Sequence, residues 1–229
     1  MSKIWLITGA GRGLGRSILE AALADGNKVV ATARDPERLA DLKRLHGDNL
    51  LNPALDVTSP AQARRAVMVA EAAYGGLDVL VNAAGCTRPV QLTQDGGKDL
   101  DSRSETNFLG TVNLIRAALP VMRSQRSGHI INISPTGGRA AAPGFTAALT
   151  RKVAPFNLKV TALQACQPDE IGLLLEELSA FDGRPARSPH GSEAFQAFGR
   201  TAAVRRDRLA DWAASAHRPI SPTPNVPLC

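Results

Sequence analysis

Short apolar runs alternate with helical patterns over the first 163 residues of the chain. Six apolar runs have the length of buried strands, and the segments between them place apolar residues three or four positions apart, as amphipathic helices do. The predicted strands span 3–8, 28–33, 49–57, 77–85, 128–134 and 157–163, and the predicted helices span 13–26, 35–45, 59–75 and 104–125. Such alternation predicts an α/β protein in which helices cover both faces of a parallel sheet.

The connections between successive strands limit the order of the predicted sheet. Right-handed crossovers produce a doubly wound, Rossmann-like arrangement, so we expect six strands in the order 3-2-1-4-5-6. Residues 169–181 and 192–216 have helical patterns, while 182–191, "DGRPARSPHG", has the composition of a loop. We therefore expect no seventh strand, a single domain over 1–216, and a disordered tail in the proline-rich segment 217–229.

Composition and charge argue against several classes of protein. The chain has a net charge of +6, but only 4% of its residues are aromatic, which argues against a stacking surface for nucleic acid. No apolar run approaches the roughly 18–20 residues of a membrane span, and the N-terminus lacks the layout of a signal peptide, so we expect a cytoplasmic protein. The 3 cysteines are far apart and odd in number, which predicts free thiols rather than disulfides or a metal site.

A glycine-rich loop, "TGAGRGLG" (8–15), joins the first predicted strand to the first predicted helix. Glycines at such a junction let the main chain turn sharply and approach a pyrophosphate, which the helix N-terminus then binds through unpaired N–H groups. A tight turn without a ligand has the same composition, but the strand–turn–helix setting favours a dinucleotide site. The basic balance of the chain also suits a phosphate-rich small ligand.

Two arginines indicate which dinucleotide the loop would bind. A site for NAD requires a carboxylate near the end of the second strand, where this chain has Ala33 and Arg34, and we expect the next residue, Asp35, to cap a helix. Arg34 and Arg12 of the glycine loop could face a 2′-phosphate from two sides, which favours NADP over NAD. The alternative is that both are solvated surface arginines.

Several motifs, taken together and in order, resemble the classical short-chain dehydrogenase/reductase family and its NADP-preferring, carbonyl-reducing bacterial branch. They are the glycine loop, "DVT" (56–58), "NAAG" (82–85), Asn107 in "TNFLG", and "GHIINIS" (128–134), with a thinner likeness in 153–163 and 191–200. The resemblance implies a dinucleotide-binding domain. It also implies an oxidoreductase that transfers a hydride between NADP and a small carbonyl or alcohol substrate.

The resemblance assigns roles to individual residues. It implies that the glycine loop holds the pyrophosphate and the adenosine phosphate, that 56–57 hold the adenine, and that 82–85 line the adenosine ribose. Pattern and resemblance together predict these cofactor residues: Gly9, Arg12, Gly13, Leu14, Gly15, Arg34, Asp56, Val57, Asn82, Ala83 and Gly85. Asn107 matches the family's helix asparagine, which anchors a water in the proton relay. Asp56 as a plain turn residue, "NAAG" as a closely packed strand end and Asn107 as an ordinary helix residue are the alternatives.

The family's catalytic serine, tyrosine and lysine lack clear counterparts in this chain. The sequence has 1 tyrosine, Tyr74, which ends a helix before the fourth predicted strand. The serine position falls on Pro135, and counting onward puts Ala148 at the tyrosine position and Lys152 at the lysine position. Because Lys152 lies so close to the sixth strand, we interpret it as a surface lysine at a helix end and infer that a segment is missing near 142–145.

Three functions stay open at the level of sequence. The first is an NADP-dependent oxidoreductase whose carbonyl reduction is impaired, because losing a positioned general acid slows a reaction roughly 10²–10⁴-fold. The second is a non-catalytic NADP-binding protein, either a sensor or a partner subunit, and the third is a degraded family member that folds poorly. The family implies a homo-oligomer. However, the helix from which the segment near 142–145 is missing is the one that normally packs at the family's dimer interface.

Overall fold

The computed structural model describes residues 2–85, 104–134, 142–164 and 187–189. The strands in these ranges are β1 (Ile4–Thr8), β2 (Lys28–Thr32), β3 (Leu50–Leu51), β4 (Val79–Asn82), β5 (Gly128–Ser134), β6 (Leu158–Gln164) and β7 (Arg187–Pro189). The α-helices are α1 (Gly13–Ala24), α2 (Ala40–His46), α3 (Pro60–Tyr74), α4 (Gly110–Gln125) and α5 (Ala142–Val153). The helices predicted in 169–181 and 192–216 and the predicted tail lie outside the described residues.

The strands form one sheet in the order β3-β2-β1-β4-β5-β6-β7, and its described pairings are parallel. The first six positions confirm the Rossmann-like order 3-2-1-4-5-6. The expectation of no seventh strand is wrong, because Arg187–Pro189 pairs with the last three residues of β6. This short strand lies at the edge of the sheet, where pairing on one side requires neither an apolar pattern nor an N–H at every residue.

Two hydrophobic cores lie on opposite faces of the sheet. Successive residues of a strand point to opposite faces, so β1 gives Trp5 and Ile7 to one core and Leu6 to the other. Helices α1 and α2 cover the first face, where Ile18 is buried, and α3, α4 and α5 cover the second, where Leu114 is buried. Burial on both faces explains why the strands have continuous apolar runs.

Two helical segments begin at a side-chain cap followed by proline. The Oδ1 atom of Asp35 accepts a hydrogen bond from the main-chain N–H of Glu37 at 3.2 Å, and Pro36 opens a 3₁₀ turn that leads into α2. The Oγ atom of Ser59 accepts one from the N–H three residues later at 3.4 Å, and the proline that follows it begins α3. A side-chain oxygen followed by proline pairs a free N–H and presets the helical φ angle. The predicted capping role of Asp35 is therefore confirmed.

Helices α4 and α5 both cover the second face of the sheet, and one aromatic contact joins their surroundings near each end. At their N-terminal ends the rings of Phe108 and Phe145 meet edge to face, with centroids 5.5 Å apart. Near their C-terminal ends, the guanidinium of Arg123 in the last turn of α4 lies 4.7 Å from the ring centre of Phe156, which follows α5. Because each helix leads into the start of a parallel strand, both helices end at the edge where the strands begin. We call this the amino edge, and the opposite one the carboxyl edge.

Candidate functional site

The glycine loop and the end of β4 meet at the carboxyl edge of the sheet. Gly9 has a φ of +68°, and a Cβ atom on it would lie 2.7 Å from the Cα atom of Ala84. A Cβ atom on Gly15 would lie 2.4 Å from the carbonyl oxygen of Gly9. Real Cβ atoms cannot approach main-chain atoms this closely, so both positions require glycine. The loop therefore packs tightly against itself and against the residues that follow β4.

The first turn of α1 has donors to offer to an anion. Arg12, at the N-cap position, is extended and makes no capping hydrogen bond through its side chain, and the first turn holds no acidic residue. The next residue, Gly13, has a φ of +54°, a left-handed conformation that favours glycine. Leu14 packs against the first core and holds the turn to the sheet. Free N–H groups at the positive end of a helix dipole are suited to phosphate.

Three arginines lie beside this turn. Arg12 and Arg34, both predicted as cofactor residues, are exposed, and Arg34 is close enough to Asp56 to lower the pKa of that carboxyl group. Arg38 was not predicted: its Cδ atom lies 3.2 Å from the position of a Cβ atom on Gly11, so its stem covers the glycine loop. Its spacing of four residues from Arg34, across the start of a predicted helix, was the available signal in the sequence.

The turn at 56–58 carries the residues expected to hold the adenine. The main-chain N–H and the hydroxyl of Thr58 donate to the Oδ1 atom of Asp56 at 2.9 and 2.8 Å. These two hydrogen bonds, and then the positive charge of Arg34, hold the pKa of Asp56 below its ordinary value. Asp56 is exposed and Val57 is buried, so the turn presents an ionised carboxylate above an apolar side chain.

The amide of Asn82 is used inside the sheet. Asn82 is only 4% exposed, and its Nδ2 atom donates to the Oδ1 atom of Asn132 on β5 at 2.9 Å. The next two residues, Ala83 and Ala84, donate their N–H groups to the hydroxyl of Thr8 at 3.1 Å each. The Nδ2 group of Asn82 is therefore already used inside the sheet, while Thr8, which was not singled out as a site residue, fixes the shape of the segment.

Asn107 lies beside the end of this segment. Its Oδ1 atom is 3.1 Å from the position of a Cβ atom on Gly85, which is exposed. Asn107 belongs to a π-helical turn, Glu105–Leu109, which precedes α4, and the hydroxyl of Thr111 donates to its carbonyl at 2.9 Å. Turns of this kind are frequent at functional sites because they change which side chains face a cleft. Asn107 and Gly85 are therefore brought together at the carboxyl edge.

The tyrosine of the chain lies at the wrong edge for catalysis. The hydroxyl of Tyr74 donates to the carbonyl of Asp48 at 2.8 Å, and the ammonium of Lys28, the first residue of β2, lies 5.4 Å from its ring centre. Burial, and then the charge of Asp48, raise the pKa of Tyr74, which is the opposite of what a tyrosine proton donor requires. Tyr74 therefore lies at the opposite edge of the sheet from the proposed cofactor residues and cannot protonate an alkoxide formed at the carboxyl edge.

The described lysines also lie at the amino edge. Lys152 is exposed in the last turn of α5, so its interpretation as a surface lysine is confirmed. The others stand before or near the start of a strand: Lys3 before β1, Lys28 in β2, Lys43 bonded to the first carbonyl of β3, and Lys159 in β6. Ala148 is half-buried, four residues before Lys152 in α5, and Pro135 lies outside the described residues.

His129 is a further titratable group at the amino edge. Its Nε2 atom is 2.9 Å from the hydroxyl of Thr161, and it is the second residue of β5. Burial, and then the charges of Lys159 and Lys3, lower its pKa to about 4, so the ring is neutral at pH 7. It stands at the far end of its strand from the glycine loop.

The carboxyl edge therefore offers N–H donors for phosphate, the carboxylate of Asp56 for an adenine, and the side chain of Asn107 beside Gly85. Within 2–85, 104–134, 142–164 and 187–189, no three histidine, cysteine or acidic side chains are grouped to hold a metal ion. No helix in the same ranges is both long and apolar enough to cross a membrane.

Comparison with known sequences identifies relatives over most of the chain. The sequence profile of the family described as short chain dehydrogenase matches residues 3–171. An oxidoreductase of Botryotinia fuckeliana is 40% identical over 178 residues, which are 72% of this chain and 65% of that protein, so the match spans less than two thirds of that relative. An uncharacterized oxidoreductase of Staphylococcus aureus is 32% identical, over 70% of this chain and 76% of its own length.

Comparison with solved structures gives the same relationship. A short-chain dehydrogenase from Streptomyces avermitilis superposes with a TM-score of 0.88 at 27% identity, covering 94% of this chain and 98% of that one. A metagenomic short-chain oxidoreductase solved in complex with NADP superposes with a TM-score of 0.75 at 25% identity, covering 82% of this chain and 96% of that one. The fold is thus shared with short-chain dehydrogenases and oxidoreductases of known structure.

Proposed function

Because the chain belongs to the short-chain dehydrogenase family, we propose that it binds NADP at the carboxyl edge of its sheet and that its carbonyl reduction is impaired. One observation carries the proposal: the groups suited to the dinucleotide lie at the carboxyl edge, whereas the chain's single tyrosine lies at the amino edge. In the family NADPH, when bound, supplies a hydride, and the alkoxide so formed requires a proton donor beside it.

The cofactor residues have the chemistry that a dinucleotide requires. The free N–H groups from Gly13 to Gly15 would receive the pyrophosphate, and the carboxylate of Asp56 would accept a hydrogen bond from the amino group of adenine. Arg34 and Arg12, with the stem of Arg38 beside them, would surround a 2′-phosphate, for which guanidinium groups are better suited than for a free hydroxyl. The metagenomic relative in complex with NADP supports this choice by analogy.

The tyrosine that would act as general acid, and the lysine that would support it, are the groups without a counterpart among the described residues of the carboxyl edge. Five of the chain's six lysines are described, and these five lie at the amino edge, while Lys98 lies outside the described residues. A missing general acid alone slows a reaction roughly 10²–10⁴-fold. We expect slow turnover or none with small ketones and aldehydes, and a cofactor affinity typical of the family.

A non-catalytic NADP-binding protein is the second candidate, and one observation favours it over a degraded chain. The Streptomyces avermitilis relative matches 94% of this chain over 98% of its own length, so a protein of similar length forms a complete fold. For this second candidate, the NADP bound to this chain would be the signal that a partner protein recognises. The cytoplasmic location and the homo-oligomer stay predictions.

Calorimetric titration with NADPH and NADH tests the cofactor part of the proposal. We expect NADPH to bind more tightly than NADH, and the substitution Arg34→Ala to remove most of that preference while changing NADH binding little. Arg44→Ala is the matched control, because Arg44 is an exposed arginine in α2. Equal affinities for the two nucleotides in the unchanged protein would remove the case for NADP, and no binding of either would refute the cofactor site.

Oxidation of NADPH in the presence of a panel of ketones and aldehydes tests the catalytic part. We expect the absorbance of NADPH to stay nearly constant with the protein and to fall with an active family member assayed in parallel. Turnover at the rate of the active member would show that a group other than tyrosine supplies the proton, and the impaired function would then be rejected.

A further inference from the structure

The turn at 56–58 is held from two sides, and only one of them is local. On the local side, the main-chain N–H of Asp56 donates to the Oε1 atom of Gln62 in α3 at 2.8 Å. On the other side, the Nδ2 atom of Asn113 in α4 donates to the carbonyls of Val57 at 3.1 Å and Thr58 at 3.4 Å. These two contacts join segments separated by 56 and 55 residues of sequence.

The first turn of α4 also lies directly against Val57. A Cβ atom on Gly110 would be 2.5 Å from the Cγ2 atom of Val57, so the helix backbone occupies the space that a side chain would need. Gly110 and Asn113 are three residues apart and therefore share one face of the helix. That face of α4 packs against the side chain of Val57 and also donates a hydrogen bond to the carbonyl of Val57.

The same helix begins with the π-helical turn that carries Asn107. Through Thr111 and Asn107, the N-terminal end of α4 also reaches Gly85 at the end of the β4 segment. The start of α4 and the π-helical turn before it thus contact both the 56–58 turn, which is expected to hold the adenine, and Gly85 at the end of the β4 segment.

From this arrangement we infer that Asn113 is a positioning residue for the adenine end of the cofactor. Its amide sets the direction of the 56–58 turn and so places the carboxylate of Asp56 against the base. The inference rests on the proposed binding of NADP, and it adds a residue that makes no contact with the nucleotide. Because an amide donates to two carbonyls here, aspartate in its place would put an acceptor against two acceptors and displace the turn further than alanine.

Titration with two ligands tests the inference. NADPH contains both ends of the cofactor, whereas adenosine 2′,5′-bisphosphate contains only the adenine end. We expect Asn113→Ala to weaken both about fivefold to twentyfold, the equivalent of one or two neutral hydrogen bonds, and Asn113→Asp to weaken both more. The control is Asn27→Ala: the Asn27 amide also donates to a main-chain carbonyl, that of Ala22 at 3.0 Å, but just before β2 at the amino edge.

Hydrogen exchange separates failure of this inference from failure of the proposed function. In the nucleotide-free protein, we expect the amides of Asp56 and Thr58, which are hydrogen-bonded in the turn, to exchange faster in Asn113→Ala than in the unchanged protein. If the unchanged protein binds neither ligand, the cofactor proposal fails, and exchange then decides only whether Asn113 holds the 56–58 turn. Unchanged exchange at the turn, or a loss of affinity no larger than that of the Asn27 control, would overturn the inference.

Discussion

Replacing Asn82 by alanine is expected to destabilise the protein more than replacing Asn132, although the two side chains share one hydrogen bond. The Nδ2 atom of Asn82 donates to the Oδ1 atom of Asn132 at 2.9 Å, while the Nδ2 atom of Asn132 is buried without a partner among the described residues. The pair is therefore asymmetric, because the Nδ2 group of Asn82 is hydrogen-bonded whereas that of Asn132 has no partner among the described residues.

The magnitude follows from counting unpaired atoms. Asn82→Ala adds an unpaired oxygen on Asn132 to the donor already unpaired there, which costs about 1–3 kcal/mol. Asn132→Ala leaves the donor of Asn82 unpaired but removes an unpaired donor, so the two effects largely cancel. Since 1 kcal/mol shifts the melting temperature of a chain of this size by roughly 2–4 °C, Asn82→Ala is expected to lower it by roughly 2–12 °C and Asn132→Ala by clearly less.

Thermal unfolding by circular dichroism measures both variants, with Asn49→Ala, an exposed asparagine, as the control. NADPH titration of the same samples separates two roles of Asn82, because a side chain that lined the ribose would lose affinity at nearly constant melting temperature. A melting temperature lowered as much by Asn132→Ala as by Asn82→Ala would refute the reasoning from unpaired atoms.

Three further predictions concern other parts of the molecule. Gly15→Ala would place a Cβ atom 2.4 Å from the carbonyl oxygen of Gly9, so we expect NADPH affinity to fall, and an unchanged titration would contradict this. The pKa of His129 is lowered by burial from 6.5 to about 4, so its contribution to stability is present above 6.5 and is lost as pH falls toward 4. Melting curves between pH 6.5 and about 5 should therefore decline less for His129→Gln than for the unchanged protein, and parallel declines would rule this out. Gly76→Ala would put a Cβ atom 2.6 Å from the Oε1 atom of Gln125 and so displace that side chain. Urea unfolding should therefore show a free energy of unfolding lower by about 1–3 kcal/mol. The double variant with Gln125→Ala should be no less stable than Gln125→Ala alone, and additive losses would contradict this.

Sequence patterns predicted most of the fold because the strands are buried on both faces and two of the helical segments begin at side-chain caps. The exceptions are strands that lack these signals. Of the region 49–57, only Leu50–Leu51 is a strand, followed by a single bridge between Ala33 and Ala54 beyond Pro53. Arg187–Pro189 has no apolar pattern. It is a short strand at the edge of the sheet, and its pairing with β6 rather than its own residues specifies it.

The candidate site was predicted as a set of residues but not as a set of contacts. The motifs indicated that Asn82 lies in the cleft segment, but only the register of β4 against β5 pairs it with Asn132. The roles of Arg38 and Asn113 depend in the same way on which elements touch: the helix after β2 against the glycine loop, and α4 against Val57. Such contacts join positions far apart in the chain, and beyond the four-residue spacing of Arg34 and Arg38 no local pattern indicates them.

The distribution of lysines across the sheet has a practical consequence for measuring binding. Amine-reactive linkers attach to lysine ammonium groups, and the five described lysines stand at the amino edge, opposite the glycine loop. Coupling the protein to a sensor surface through amines would therefore orient it with the cleft toward solution. Exchanging Lys98 for arginine would remove the sixth lysine, which lies outside the described residues, and leave one edge of the sheet as the site of lysine attachment.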